Sequence, residues 1–274
     1  MEDQSIREAV KERYASTVKQ SSSCGCFQNS NYLDPGFIES AGKVAGYTDK
    51  ELKSIPDGAN LGLGCGNPVA LSVIKEGDVV LDLGSGAGMD CFLASTIVGE
   101  KGHVIGVDMT PEMVDRAKAN AQNNGYQNVE FRLGEIENLP VESSSVDSII
   151  SNCVINLSTD KSKVFREAYR VLKPGGTLMV SDIALLEDLP EYLNSSVEAY
   201  LRCIAGAIRK EEYLDALREA GFEEITVAGE SHFPAELIAE QPLLKELAGK
   251  MNIPMSELQR IGSTVVSLKV AAKR

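Results

Sequence analysis

A glycine-rich turn at the end of a short apolar run is the feature that most limits how this chain can fold. Residues 79–88 read VVLDLGSGAG, so a segment typical of a buried strand leads directly into three alternating glycines. The next ten residues, MDCFLASTIV, are predicted to form a helix. Glycines at such a turn allow a tight bend and let backbone N–H groups approach a ligand closely. This order predicts one unit of a parallel α/β sheet, with a ligand site at the turn.

The same alternation of strand and helix continues along the chain. The patterns predict further strands at 103–109, 128–133, 146–152, 177–183, 222–228 and 264–272, and helices at Ile6–Val18, 112–124, Lys161–Leu172, 190–207 and 210–220. We expect Lys-Pro-Gly-Gly at 173–176 to end a helix, and the segment that follows the first helix, up to about residue 70, to be a loop. Strands that alternate with helices predict a mostly parallel sheet with helices on both faces.

Composition limits the classes of partner. The 274 residues carry a formal net charge of −13, which disfavours nucleic acid because a phosphate backbone requires a basic face. No apolar run is long enough to span a membrane, and the first residues, MEDQSIREAV, do not resemble a secretory signal. We therefore expect a cytoplasmic protein with no nucleic-acid or membrane partner. We also expect a monomer, although the sequence carries no direct signal of the oligomeric state.

Two acidic residues indicate which ligand the glycine turn binds. Asp82 precedes the first glycine, and Asp108 ends the next predicted strand, where a carboxylate can bind both hydroxyls of a ribose. A nicotinamide dehydrogenase would share the ribose acid. The GxGxG spacing and the preceding acid favour a cationic sulfonium ligand with an ammonium group, since a carboxylate stabilises positive charge.

These motifs together resemble the class I S-adenosylmethionine-dependent methyltransferases. DLGSGAG is similar to their motif I, VDMTPEM to the ribose motif, GEIENLP (134–140) to the adenine-contacting turn and LKPGG to the turn before their fifth strand. The resemblance implies a Rossmann-like sheet of seven strands whose last two form an antiparallel hairpin. It also implies S-adenosylmethionine as co-substrate, bound by Asp82, Gly84, Ser85, Gly86, Gly88, Asp108, Met109, Gly134, Glu135, Ile136 and Asn152.

Six cysteines, at 24, 26, 65, 91, 153 and 203, indicate the methyl acceptor. Cys153 directly follows a predicted strand, so we expect it at the carboxyl edge of the sheet, where ligands bind. Cys65, in the bare loop LGLGCGNP, and Cys203, in YLRCIAGA, come from separate segments that can converge on the same place. Three thiolates suit a soft, thiophilic centre. Cys91, between apolar residues of a helix, is expected to be a small core residue.

The sequences around Cys65, Cys153 and Cys203 resemble those of arsenite methyltransferases. This resemblance implies that the three thiolates hold As(III), whose lone pair attacks the sulfonium methyl group without a general base. The protein then mainly orients and desolvates the reactants, and it requires no permanent metal.

In that family a further N-terminal cysteine takes part in a redox cycle, which here corresponds to Cys24 or Cys26. The resemblance implies that a disulfide forms during turnover and that a thioredoxin- or glutathione-type reductant resets it. The sequence does not say which of the two cysteines corresponds.

We expect three segments, and two alternative functions remain open. The segments are an N-terminal helix with cysteine-containing loops (1–70), a cofactor-binding core (71–190) and a C-terminal arsenic-binding cap with the last strands (191–274). One alternative is a methyltransferase of a small carbon or oxygen acceptor, such as a quinone precursor, which usually needs an acid or histidine base. The other is a thiol-based metalloid or zinc sensor, which would favour a fourth ligand in tetrahedral geometry.

Overall fold

The computed structural model describes residues 3–22, 35–190, 206–232 and 255–274. None of the helices in these ranges combines the length and the apolar character that crossing a bilayer requires. The predicted helix at 190–207 lies almost entirely outside the described residues, as do Cys24, Cys26 and Cys203.

Seven strands form one sheet in the order β3-β2-β1-β4-β5-β7-β6. The strands are β1 (Val79–Leu83), β2 (His103–Asp108), β3 (Val129–Leu133), β4 (Val146–Asn152), β5 (Leu172–Leu185), β6 (Glu223–His232) and β7 (Val265–Lys273). Strands β1 to β5 run parallel, whereas β7 pairs antiparallel with both β5 and β6. The predicted terminal hairpin and the class I methyltransferase fold are thus confirmed.

The described helices precede, connect and follow these strands. They are α1 (Asp3–Ser22), α2 (Pro35–Val44), α3 (Asp49–Ser54), α4 (Pro68–Leu71), α5 (Met89–Val98), α6 (Pro111–Asn123), α7 (Lys161–Val171), α8 (Lys210–Glu219) and α9 (Met255–Thr264), and a short 3₁₀ turn covers Ile155–Leu157. Apart from the segments discussed below, most described boundaries lie within one or two residues of the predicted ones.

The sheet separates two apolar cores. Successive side chains of a strand point to opposite faces, so Leu81 packs with α7 and α8 residues such as Phe165 and Leu217, while Val80 packs with Phe92 of α5. Both sides of β1 are therefore buried, which explains its continuous apolar sequence. A third apolar cluster includes Cys153, with Cys65 packed against it, and contains Ile6 and Val10 of α1, which pack this helix against the sheet.

Two predictions about local structure are wrong. Residues 35–54, expected to be loop, include α2 and α3, and α3 begins with a capping box in which Thr48 and Glu51 exchange hydrogen bonds. The Lys-Pro-Gly-Gly segment, expected to be a turn, lies inside β5. Pairing with the end of the chain explains this, since Gly175 N–H donates to the Arg274 carbonyl and Arg274 N–H donates to the Gly176 carbonyl.

Candidate active site

A cleft opens at the carboxyl edge of the parallel strands, with about 1200 Å³ of empty space when the solvent at its open side is included. Its floor is the turn after β1, and its walls come from the ends of β2 and β4 and from the loop that carries Gly64. Every predicted cofactor-binding residue except Gly88 lines this cleft. This is the edge at which open α/β sheets bind ligands.

The glycine turn requires glycine at its first and last positions. Gly84 has φ of +67°, and a Cβ there would lie 2.3 Å from the Val154 side chain. Gly88, at φ of +97°, is the N-cap of α5, and a Cβ would lie 2.7 Å from the ring of Phe92. Gly84 therefore keeps the turn close to the strand ends, whereas Gly88 serves the packing of α5 rather than the cleft.

Asp108, at the end of β2, ties the glycine turn to the neighbouring loop. One carboxylate oxygen accepts from Gly86 N–H and the other from Thr110 N–H, each at 2.9 Å. Burial raises the pKa of Asp108, against the lowering effect of these two donors. Asp108 lines the cleft at a strand end where, in folds of this kind, an acidic side chain binds the hydroxyls of a ribose.

Two further acidic residues, Asp82 and Asp90, line the floor of the cleft. Burial, followed by the negative charge of Asp90, holds the pKa of Asp82 well above its usual range, and burial raises that of Asp90 to about 6. The thiol of Cys91 donates to Asp82 at 3.3 Å. A bound cation would favour the charged form of both carboxyls, so the cleft suits a ligand with positive charge. Cys91 is fully buried in the core, as predicted.

The side chain of Asn152 joins the cofactor side of the cleft to the cysteine loop. Its carbonyl oxygen accepts from Cys65 N–H at 3.0 Å and from Gly66 N–H at 3.3 Å. Its amide lies within hydrogen-bonding distance of the Gly66 carbonyl (2.8 Å), the Tyr47 hydroxyl (2.9 Å) and Asp90 (3.1 Å). The Tyr47 hydroxyl in turn donates to Asp90 at 2.6 Å. Neither Tyr47 nor Asp90 was identified from the sequence.

Cys65 and Cys153 meet at this edge. Their sulfur atoms and a carboxylate oxygen of Asp182 all lie within 4.8 Å of one another. Cys153 follows β4 and is 8% exposed; its φ of +59° is unusual for a residue with a side chain, and such strain clusters at functional sites. The sequence patterns predicted both cysteines at one site, while Asp182, a β5 residue, was not identified.

The carboxylate of Asp182 is held on one side by two donors. Its Oδ1 accepts from the Asn156 amide and from Ile183 N–H, both at 2.9 Å. Burial raises the pKa of Asp182 to about 7. Burial, followed by the charge of Asp182, also holds the pKa of Tyr213 well above its usual range. Asn156 therefore orients this carboxylate.

Helix α1 covers part of the cleft. Arg7, Val10 and Tyr14 line it, and Val10 is fully buried. The Arg7 guanidinium lies 3.2 Å from the Glu135 carboxylate and 3.5 Å from that of Glu137, in the predicted adenine-contacting turn. The first helix of the chain is thus attached to the wall of the cofactor cleft.

The residues present fit S-adenosylmethionine. The turn contributes the hydroxyl of Ser85, which is buried and has no hydrogen-bond partner among the described residues. Asp108 suits the ribose, while the buried acids Asp82 and Asp90 suit the positive charge of the methionine end. The chemistry of this donor set matches both ends of the molecule.

Comparisons with known proteins agree with this site. A methyltransferase domain family model matches residues 74–221. An arsenite methyltransferase of Halobacterium salinarum is 44% identical over 234 residues, which cover 81% of this chain and 58% of the relative. A quinone-pathway relative, the ubiquinone/menaquinone biosynthesis C-methyltransferase UbiE of Vibrio cholerae, is 33% identical over 56% of this chain and 66% of the relative.

A solved structure is also similar. The crystal structure of the arsenic(III) S-adenosylmethionine methyltransferase of Chlamydomonas reinhardtii has a TM-score of 0.64 and 32% identity, covering 87% of this chain and 73% of that one. The chain therefore belongs to the methyltransferase domain family, with the class I fold. Within that family it belongs with the arsenite methyltransferases. It spans less than two thirds of the length of the curated arsenite methyltransferases that it matches.

Proposed function

We propose that this chain transfers methyl groups from S-adenosylmethionine to trivalent arsenic held by Cys65, Cys153 and Cys203. The observation that carries the proposal is the approach of Cys65 and Cys153, which are distant in sequence, at the cofactor cleft. Cys153 itself lines that cleft. Two thiols beside a site that fits a sulfonium co-substrate suit a soft acceptor.

Each part of the site then has a role in the transfer. The co-substrate supplies, when bound, an electrophilic methyl group, which the arsenic lone pair displaces from sulfonium. Cys65 and Cys153 lose their protons on binding As(III) and fix its lone pair relative to the cleft. Asn152 holds the Cys65 loop against the cofactor wall, so orientation is the protein's main contribution.

A redox step restores the trivalent state after methylation. Forming the As–C bond oxidises arsenic formally from +3 to +5, and two thiols can return two electrons by forming a disulfide. In the proposal, Cys24 or Cys26 provides one of these thiols. A thioredoxin- or glutathione-type reductant then reopens the disulfide by thiol exchange, which places turnover in a reducing compartment such as the cytoplasm.

Product analysis tests the proposed function against the carbon- or oxygen-acceptor alternative. Wild type, arsenite, S-adenosylmethionine and a thiol should give methylated arsenicals, measured by chromatography with element-specific detection, and Cys153→Ser should give none. Methylation of a quinone precursor without methylation of arsenite would support the alternative instead. Neither histidine of the chain, His103 or His232, lines the cleft, so a histidine base for that chemistry is missing there.

A further inference from the structure

Among the described residues, Cys65 and Cys153 are joined by an oxygen donor, Asp182. Cys65, Cys153 and Asp182 form one group whose ligand atoms lie within 4.8 Å of one another. They come from three separate segments, namely the loop before α4, the residue after β4 and the strand β5. Asp182 is 1% exposed, so its carboxylate faces the two sulfurs from inside the protein rather than from solvent.

One oxygen of this carboxylate lacks a donor. Oδ1 accepts two hydrogen bonds, from Asn156 and Ile183, whereas Oδ2 is buried and accepts none from the described residues. The Tyr213 hydroxyl interacts with the same carboxylate. A buried carboxylate oxygen with so few donors is costly, and a bound cation would satisfy it.

An oxygen donor beside two thiolates favours a zinc-group cation over trivalent arsenic as the ligand of all three side chains. Trivalent arsenic takes thiolates, and a carboxylate adds little to its binding. Cations of the zinc group accept both donor types, with bonds of about 2.3 Å to sulfur and about 2.0–2.2 Å to carboxylate oxygen in tetrahedral sites. Two sulfurs on one such ion lie about 3.8 Å apart, so small side-chain rotations would bring the present group into that geometry.

Charge favours the same class of ligand. Two thiolates and a carboxylate carry three negative charges, which a divalent cation largely neutralises. The positive charge of Lys161 acts on Asp182 and offsets part of this negative charge. We propose that Cys65, Cys153 and Asp182 bind one zinc-group divalent cation, Zn(II) or Cd(II), in competition with arsenite for the two thiols. The competition rests on the proposed function, whereas the cation site itself does not.

Cadmium titration tests the site directly. The full chain is prepared with Cys24, Cys26 and Cys203 replaced by serine, because these cysteines are alternative cadmium ligands. Cd(II) binding is followed by calorimetry and by the ultraviolet charge-transfer absorption of cadmium thiolates. We expect one Cd(II) per chain with release of the thiol protons, and no such absorption after Cys153→Ser.

The carboxylate is tested by Asp182→Asn, which keeps the shape of the side chain. This change should weaken Cd(II) binding by at least about tenfold, the lower limit of what losing even an outer partner costs a metal site. Arsenite binding by the variant with all cysteines present should change less than about twofold, since arsenic relies on sulfur. Asp147→Asn, at the opposite edge of the sheet, is the matched control and should leave Cd(II) affinity unchanged.

In the chain with Cys24, Cys26 and Cys203 replaced by serine, a Cd(II) affinity that Asp182→Asn leaves unchanged would overturn the proposal, as would the absence of Cd(II) binding. If Asp182→Asn fails to fold, X-ray absorption at zinc bound to the chain with Cys24, Cys26 and Cys203 replaced by serine decides instead. A shell with both sulfur and oxygen supports the site, whereas an all-sulfur shell contradicts it. If wild type formed no methylated arsenicals, only the proposed function would be refuted, and the cation site would stand. Failure of the proposed function and failure of the cation site are therefore distinguishable.

Discussion

The side-chain carbonyl of Asn152 accepts the backbone N–H of Cys65 at 3.0 Å, and its amide lies 3.1 Å from the Asp90 carboxylate. One residue at the end of β4 therefore links the cysteine loop to the acidic floor of the cofactor cleft. In the proposed reaction, this link fixes the distance between the bound arsenic and the methyl donor.

We predict that Asn152→Ala raises the KM for arsenite by about 5- to 150-fold. The substitution leaves the N–H groups of Cys65 and Gly66 without their acceptor, at a cost of about 1–3 kcal/mol for a buried group. Steady-state kinetics with arsenite as the varied substrate measure the effect. Asn128→Ala is the control, since that amide donates to Ser95 and Gly99 away from the cleft. A folded Asn152→Ala protein with an unchanged KM would refute the linking role.

We predict that Asp108→Ala weakens S-adenosylmethionine binding by about 10- to 100-fold. The carboxylate organises the glycine turn through Gly86 and Thr110, and hydrogen bonds to a charged group contribute about 1.5–3 kcal/mol. Calorimetric titration with the co-substrate gives the affinity. Asp147→Asn, whose carboxylate pairs with Lys173 at the other edge of the sheet, should bind as wild type does. Equal affinity in Asp108→Ala would exclude this residue from the cofactor site.

We predict that Arg7→Ala weakens co-substrate binding by only about two- to fivefold. Its pair with Glu135 is partly exposed, and such pairs contribute about 0–1 kcal/mol. The change should appear mainly as faster dissociation, because α1 covers the cleft, and stopped-flow displacement measures that rate. Arg218→Ala, which removes an exposed pair with Asp215, is the control. A dissociation rate unaffected by Arg7→Ala would mean that α1 does not retain the ligand.

We predict that Asp182 makes folding stability fall as pH rises from about 4 to about 7. Burial raises its pKa from 3.8 to about 7, so in this window the folded protein binds a proton that the unfolded chain has lost. The free energy of unfolding therefore decreases with pH, by at most about 1.4 kcal/mol per pH unit from this group, and its contribution levels off above pH 7.

Urea denaturation at several pH values, with wild type and Asp182→Asn, isolates this effect. The variant lacks the titrating carboxyl, so its stability should fall less across the window. Asp90, whose pKa is about 6, adds a decrease of the same sign to both proteins and cancels in the comparison. If the free energy of unfolding changed with pH in the same way in both proteins, the raised pKa of Asp182 would be contradicted.

Local sequence pattern was sufficient for the parallel strands and the glycine turn, because strand burial and turn conformation depend on neighbouring residues. Local pattern gave the wrong structure where contacts with residues distant in the sequence determine the conformation. Residues 173–176 join β5 only because Arg274 pairs with them. The capping box of Thr48 and Glu51 was a readable signal for α3 that the loop prediction overlooked.

The candidate site follows the same division. Cys65 and Cys153 could be predicted because their flanking sequences resemble those of a known family and one follows a strand. Asp182 and Tyr213 could not, since a lone acid in an apolar strand and a tyrosine in an amphipathic helix carry no local signal of function. Only tertiary packing brings both close to the thiols.

The most direct test of the central claim is the arsenic product profile of single cysteine variants. Wild type and Cys91→Ser should both yield methylated arsenicals in the presence of S-adenosylmethionine and thiol, because Cys91 lies in the core outside the group of Cys65 and Cys153, and a serine hydroxyl can keep the hydrogen bond to Asp82. Cys65→Ser and Cys153→Ser should yield none while still binding the co-substrate. Full arsenic methylation by Cys153→Ser would contradict the proposal that these thiols hold the acceptor.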